Sequence, residues 1–195
     1  MGDGFCYDEK LISPVVQSLR IDLHSHSTYS DGVLTPAELV QYAASKGVAM
    51  LALTDHDEVG GLQEAAAAAQ KAGIIFVPGV ELSATWAGST VHVLGLGVDP
   101  DCPALAGGIA LLATSRQCRA EQMARRFDAI GIKDSLDGAS RFASKPTAVG
   151  RSHFARFLVE RGCARNMGEV FKRYLTPGKP GYVPHQWARL DQAVA

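Results

Sequence analysis

Apolar and polar positions along the first hundred residues fall into alternating strand-like and helix-like blocks. Arg20 to Leu23 sets apolar and β-branched residues beside a charged edge and predicts a short buried strand. Thr35-Pro36-Ala37-Glu38 is a helix start, with Thr35 as N-cap, Pro36 at the first helical position and Glu38 closing a capping box. That helix should run to about Lys46 and stop at Gly47. Val48 to Thr54 is a continuous apolar run, the pattern of a strand buried on both faces of a parallel sheet. Gly61 to Ala72 predicts an alanine-rich helix closed by Gly73, and Ile74 to Val77 the next buried strand. Past Pro78-Gly79 a strand at Leu82–Thr85, a turn at Ala87–Ser89 and a strand at Thr90–Leu96 follow.

The pattern changes near Asp99-Pro100. Helical periodicity covers Leu105 to Ile130, Val149 to Arg161 and Met167 to Leu175, the last capped by Asn166 with Glu169 three residues on. No strand pattern falls between residues 100 and 180. The expected organisation is a leader over 1–18, with at most one helical turn at Ile12–Ser18, then the first part of a barrel over 19–99. A helical insertion over the barrel mouth follows at 100–180, and 181–195 returns to the barrel through Tyr182-Val183-Pro184 and a helix from Trp187. Strand–helix alternation with short links implies an α/β fold with a parallel sheet, whose reactive groups gather at the C-terminal ends of the strands.

Composition narrows the possibilities. Nineteen basic and 20 acidic residues nearly cancel, so no global field recruits a polyanion, and contact with long duplex nucleic acid is not expected. Cys6, Cys102, Cys118 and Cys163 form no C-x-x-C pair and read as reduced thiols of a cytoplasmic protein. Residues 1–10 lack the basic-then-apolar order of a signal peptide, and no apolar run reaches the roughly 20 residues of a membrane helix.

The chemistry concentrates at strand ends. His24 and His26, at i and i+2, share a face if the first strand runs through them, and two such imidazoles suit one divalent metal. His56 follows the second strand and His92 lies within the last; each taken singly would be an ordinary hydrogen-bonded histidine. With Asp31 and Glu81 they form the mixed imidazole–carboxylate set that holds Zn²⁺, Mn²⁺ or Fe²⁺. Glu81 follows an apolar strand, where an unpaired carboxylate is costly, and its two oxygens can bridge two ions. Asp31 can also serve as a turn former and Asp57 as a helix N-cap, while Asp22 and Asp55 are placed to orient ligands from behind. Arg116, Arg119, Arg125 and Arg126 share one helix, either as a solvated basic face or as anion contacts. Arg151 and His153 open another helix where free N–H groups suit a phosphate, and Lys179 is a further candidate anion contact.

Asp22-Leu23-His24-Ser25-His26 with Ser30-Asp31-Gly32, then Thr54-Asp55-His56-Asp57, Pro78-Gly79-Val80-Glu81 and Val91-His92-Val93-Leu94-Gly95, resemble in order and spacing the PHP (polymerase and histidinol phosphatase) superfamily over about residues 20–98. Gly150-Arg151-Ser152-His153-Phe154-Ala155 and Gly178-Lys179-Pro180-Gly181-Tyr182-Val183-Pro184 further resemble its stand-alone phosphoesterases, a group with 3′,5′-nucleoside bisphosphate phosphatases and a 5′-to-3′ exoribonuclease. The resemblance implies a distorted (β/α)₇ barrel, TIM-like, with two or three metal ions, often Mn²⁺. His24 and His26 would hold one ion with Glu81, Glu81 would bridge to a second held by His92, and Asp31 and His56 would hold a third. Glu81, His56 and Asp31 would then be the catalytic centre, hydrolysing a phosphate ester of a nucleotide, the 3′-phosphate of a 3′,5′-nucleoside bisphosphate, through a metal-activated hydroxide. Arg116, Arg119, Arg151, His153 and Lys179 would grip a second phosphate. The family's later Ala-His-Pro and Asp-x-His motifs do not occur before Ala195, and His185 does not match them, so a truncated portion is expected. The alternatives are an exoribonuclease acting on short 5′-phosphorylated RNA and a non-catalytic metal- or nucleotide-binding module with an incomplete site; histidinol phosphatase activity is less expected.

Overall fold

The computed structural model describes residues 19–184 and 187–194; the expected turn at Ile12–Ser18, Cys6 and His185 lie outside them. Strands β1 (Arg20–Asp22), β2 (Val48–Leu53) and β3 (Ile75–Trp86) are connected by helices α1 (Pro36–Ser45) and α2 (Leu62–Ala72). Both pairings, β1 with β2 and β2 with β3, are parallel, as the short strand–helix alternation requires. The chain is therefore α/β with a parallel sheet, and among the described residues the sheet stays open, in the order β1-β2-β3 followed by a fourth strand, β4 (Ser89–Leu96).

Local chemistry explains the helix ends. The Thr35 hydroxyl accepts from the Glu38 amide while the Glu38 carboxylate accepts from the Thr35 amide, so both halves of the capping box are present. Gly73 ends α2 in the left-handed conformation that glycine adopts without strain. Between these helices and the sheet, Val40, Leu51, Leu53, Leu62, Ala65 and Ala69 form one buried apolar cluster.

Three strand expectations need correction. β1 is exposed along its length, because it pairs only with β2 on one side and no described element covers it. In β2 only Leu51, Ala52 and Leu53 are fully buried, the first half being partly open. Instead of a strand ending at Val77 and another at Leu82, β3 runs unbroken through Pro78-Gly79. Its first half pairs with β2, and from Gly79 onward it pairs antiparallel with β4 (Ser89–Leu96) through a tight turn at Ala87-Gly88, both at positive φ. Gly79 is required there: a Cβ would lie 2.8 Å from Thr54 Cγ2 and 3.0 Å from the Leu53 carbonyl oxygen.

The helical stretch consists of α3 (Pro103–Ala129), α4 (Ser135–Ser140), a 3₁₀ turn at Pro146–Ala148, α5 (Arg151–Glu160), α6 (Met167–Val170) and a π-helical turn at Phe171–Leu175. Its own buried cluster includes Met123, Phe127, Phe154, Phe157, Leu158 and Leu175. In place of the helix expected from Trp187, Ala188–Arg189 forms a two-residue strand, β5, parallel to β3 at Ala84 and Thr85, and only then does α7 (Leu190–Ala193) begin. Cys102, Cys118 and Cys163 are free thiols, and no helix among the described residues is long and apolar enough to cross a membrane.

Candidate metal centre

Backbone pairing continues past the ends of the regular strands and brings the candidate ligands together. The Thr54 amide donates to the Ser25 carbonyl, the Glu81 amide to the Asp55 carbonyl and the Asp57 amide to the Glu81 carbonyl, which sets His56 beside Glu81. In the β3–β4 ladder Ser83 faces His92 and Glu81 faces Leu94, so Glu81 and His92 are diagonal neighbours on one face.

Glu81, only 4% exposed, is the hub. Its Oε2 lies 3.0 Å from His24 Nε2, 3.2 Å from His26 Nε2 and 3.4 Å from His56 Nδ1, and its Oε1 lies 3.5 Å from His92 Nδ1. His26 and His24 approach through their Nε2 atoms at 3.1 Å, and Asp31 Oδ1 stands 3.9 Å from His26 Nδ1. Although β1 ends before them, the two histidines of the i, i+2 pair do converge. The donor atoms of His24, His26 and Glu81, of His26, Asp31 and His56, and of His56, Glu81 and His92 each lie within 4.8 Å of one another. The first group coincides with the expected one; the other two gain His26 and His56 as shared members.

The electrostatics suit cations. Burial pushes the Glu81 carboxyl up, but hydrogen bonding to His26 and His24 and the fields of His56 and His92 outweigh it and hold it down to about 2. Burial pulls His56 down to about 4 against the opposing charges of Glu81 and Asp31, so it is neutral at pH 7. Its Nδ1 is buried and makes no hydrogen bond. A buried imidazole nitrogen beside a carboxylate, with no hydrogen bond of its own, is a donor that a metal ion can take up. Donor atoms 3.0–3.5 Å apart also match the separations of ligands held roughly 2.0–2.2 Å from a common ion. The residues fit divalent metal.

Behind this cluster, buried Asp55 accepts from the Ser27 amide (2.7 Å), the Ser27 hydroxyl (2.6 Å) and the Ser30 hydroxyl (2.5 Å), and so fixes the turn that carries Asp31. Burial raises the Asp55 carboxyl, with the serine hydrogen bonds opposing. Asp22 accepts from the His24 amide at 3.2 Å. Asp57 is not a helix cap: at φ 52° it accepts from the Ser83 amide and hydroxyl and forms an ion pair with Arg116 of α3.

Beside the cluster opens a cavity of about 110 Å³, lined by Asp31, His56 and His92 together with Arg116, Arg119, Arg151 and His153. Arg116 and Arg119 lie 5.0 and 5.6 Å over the ring of Trp187. Lys179 is not among the lining residues. His153 Nδ1 accepts from the Gly150 amide at 2.9 Å, so the neutral ring carries its proton on Nε2, which is buried and makes no hydrogen bond. Burial, helped by Arg156 and opposed by Asp31 and the nearby Ser30 carbonyl, keeps this ring neutral, at about 4. Sequence reasoning missed Trp187, Ser83 and Arg156, whose parts depend on partners far along the chain.

The family model described as PHP domain matches residues 22–142. A 3′,5′-nucleoside bisphosphate phosphatase of Chromobacterium violaceum is 54% identical over 90% of this chain and 61% of its own length. A 5′-3′ exoribonuclease of Escherichia coli is 43% identical over 89% of this chain and 59% of its own length. A Chromobacterium violaceum structure described as an amidohydrolase with bound sulfate and no metal matches with a TM-score of 0.87 at 54% identity, covering 90% of this chain and 62% of that one. The chain thus spans about 60% of the length of the relatives it matches.

Proposed function

This chain belongs to the PHP domain family, and on that premise we propose that it is a metal-dependent phosphoesterase removing the 3′-phosphate from a nucleoside 3′,5′-bisphosphate. The observation that carries the proposal is one buried carboxylate, Glu81, ringed by four imidazoles at the edge of an arginine-lined cavity. The name of the 54%-identical relative supports the substrate. Mn²⁺ is the proposed metal and the cytoplasm the proposed location.

His24, His26, Asp31, His56, Glu81 and His92 would hold two or three ions, which supply positive charge to a phosphoryl group and acidify a water. The residues themselves divide the remaining work. Neutral His56 offers its lone pair without first losing a proton, whereas at His26 burial is outweighed by the hydrogen bond to Glu81 and the charges of Asp31 and Glu81, which raise the ring. Arg119 and Arg151 bring cations to the cavity that a second phosphate can balance, while Arg116, which also lines it, is already paired with Asp57. Neutral His153 lines the same space, with its buried Nε2 near the Ser30 carbonyl. Asp57 and Ser83 hold Arg116 in place, and the Trp187 ring lies against its guanidinium. The helices of residues 100–180 act in this reading as the cover that distinguishes substrates.

A second reading has a specific basis: the 43%-identical relative is named a 5′-3′ exoribonuclease. There the arginines would anchor a 5′-phosphorylated RNA end. Supplying Mn²⁺ with either adenosine 3′,5′-bisphosphate or a 5′-phosphorylated oligoribonucleotide separates the two. Phosphate release from the mononucleotide is the expected result; mononucleotide release from RNA with the bisphosphate untouched would overturn it.

A further inference from the structure

We propose that Arg156 of α5 is a positioning residue for Asp31, and through Asp31 for the one ion that His26, Asp31 and His56 would share. The inference rests on reading Asp31 as a metal ligand.

Asp31 sits on an irregular turn, and its side chain is a third exposed. The turn is held from two sides. From within, the Ser30 and Gly32 amides donate to the Ser27 carbonyl at 3.1 and 2.9 Å, and Asp55 binds Ser27 and Ser30. From outside, the Arg156 guanidinium spans two successive carbonyls: Nη1 and Nη2 both reach Gly32 O at 3.2 Å, and Nη2 also donates to Asp31 O. A planar fork satisfying adjacent carbonyls fixes the peptide plane between them, which a lysine could not do. Gly32 is packed so closely on the preceding chain that a Cβ would lie 2.3 Å from the His26 carbonyl oxygen, so the turn has little room inward. Arg156 closes the remaining outward direction.

General scaffolding would also explain such a clamp, and the composition of the donor groups separates the two roles. Asp31 belongs to one group of three, whereas Glu81 with His24 and His26, and Glu81 with His56 and His92, do not include it. Loosening Arg156 should therefore weaken one ion and spare the others.

The test uses the full chain, stripped of metal by a chelator and titrated with Mn²⁺ alone while free Mn²⁺ is followed by electron paramagnetic resonance. Wild type, Asp31→Asn, Arg156→Gln, Arg156→Lys and the Asp31→Asn/Arg156→Gln double variant are compared, with circular dichroism confirming the fold. Arg156→Gln should weaken the same single binding step as Asp31→Asn, by about 10–100-fold, with Arg156→Lys intermediate. The double variant should bind no more weakly than Asp31→Asn alone, because both changes act on one ligand. If Arg156→Gln does not fold, Arg156→Lys carries the comparison. An Arg156 variant that overlays the wild type, weakens every step equally, or multiplies the Asp31→Asn loss would overturn the positioning role alone. A wild type that binds no Mn²⁺, or an Asp31→Asn variant indistinguishable from it, would overturn the ligand reading and this inference together.

Discussion

Replacing Asp57 by alanine strands three donors at once. Its carboxylate, with a side chain 1% exposed, accepts from the Ser83 amide at 2.7 Å and the Ser83 hydroxyl at 2.8 Å, and pairs with Arg116, itself 14% exposed. Removing one partner of a buried ion pair costs about 3–5 kcal/mol, because the remaining charge stays buried without compensation. The cation–π contact of Arg116 with Trp187 offsets only a fraction of that. For a chain of this size the loss corresponds to a fall in Tm of roughly 6–20 °C. Arg116→Met should cost less, since Asp57 then keeps both Ser83 donors, and the double variant should be less destabilised than the sum of the singles by about 0.5–3 kcal/mol. Urea unfolding of the metal-free proteins measures all three. The pair links α3 of the helical cluster to the strand ends beside the metal centre, so its loss should also broaden the transition as the two apolar clusters uncouple. A cost below about 1 kcal/mol for Asp57→Ala, or strict additivity, would refute the reasoning.

Two further outcomes follow from the structure. His153 titrates near pH 4 when folded and near 6.5 when unfolded, so the unfolded chain binds the extra proton between those values. Its contribution is complete above pH 6.5 and is lost as pH falls to 4, at about 1.4 kcal/mol per pH unit. His153→Gln should flatten the acid limb of the stability curve by about one proton, and an unchanged slope in that variant would count against its buried, neutral state. Gly79→Ala drives a methyl into Thr54 Cγ2 and the Leu53 carbonyl two residues before Glu81, so it should cost about 1–3 kcal/mol in thermal unfolding. Wild-type stability would mean that the strand is looser there than its packing indicates.

Features set by neighbouring residues could be read from the sequence. The capping box of α1 lies within Thr35 to Glu38, and His24, His26 and His56 follow apolar runs that mark the ends of β1 and β2, although Glu81 and His92 lie inside β3 and β4 and Asp31 on a turn. Features set by distant pairing could not. Pro78-Gly79 reads as a break, yet β3 passes through it: Leu53 pairs with Pro78, and the Pro78 carbonyl accepts from Gly97 and Val98. The apolar character of Ile21 does not report that β1 has a neighbour on one side only. Helix α4 is six residues long, starts from a left-handed Asp134 and carries Gly138 where the Phe157 ring leaves no space for a Cβ, so it has no local signature. Arg156 meets its partners 124 and 125 residues away, and Asp57 meets Arg116 at a distance of 59. In the sequence each of these is only one charged residue among many.

The central claim is that the Glu81-centred cluster holds the ions that hydrolyse a phosphate ester. Phosphate release from adenosine 3′,5′-bisphosphate, followed against the number of Mn²⁺ ions bound per chain, tests it in the wild type and in Glu81→Ala. No release from the metal-free chain, release that returns as ions bind, and loss of both ions and turnover in Glu81→Ala are the predicted results. Release by the metal-free chain, or near-wild-type turnover in Glu81→Ala, would contradict it.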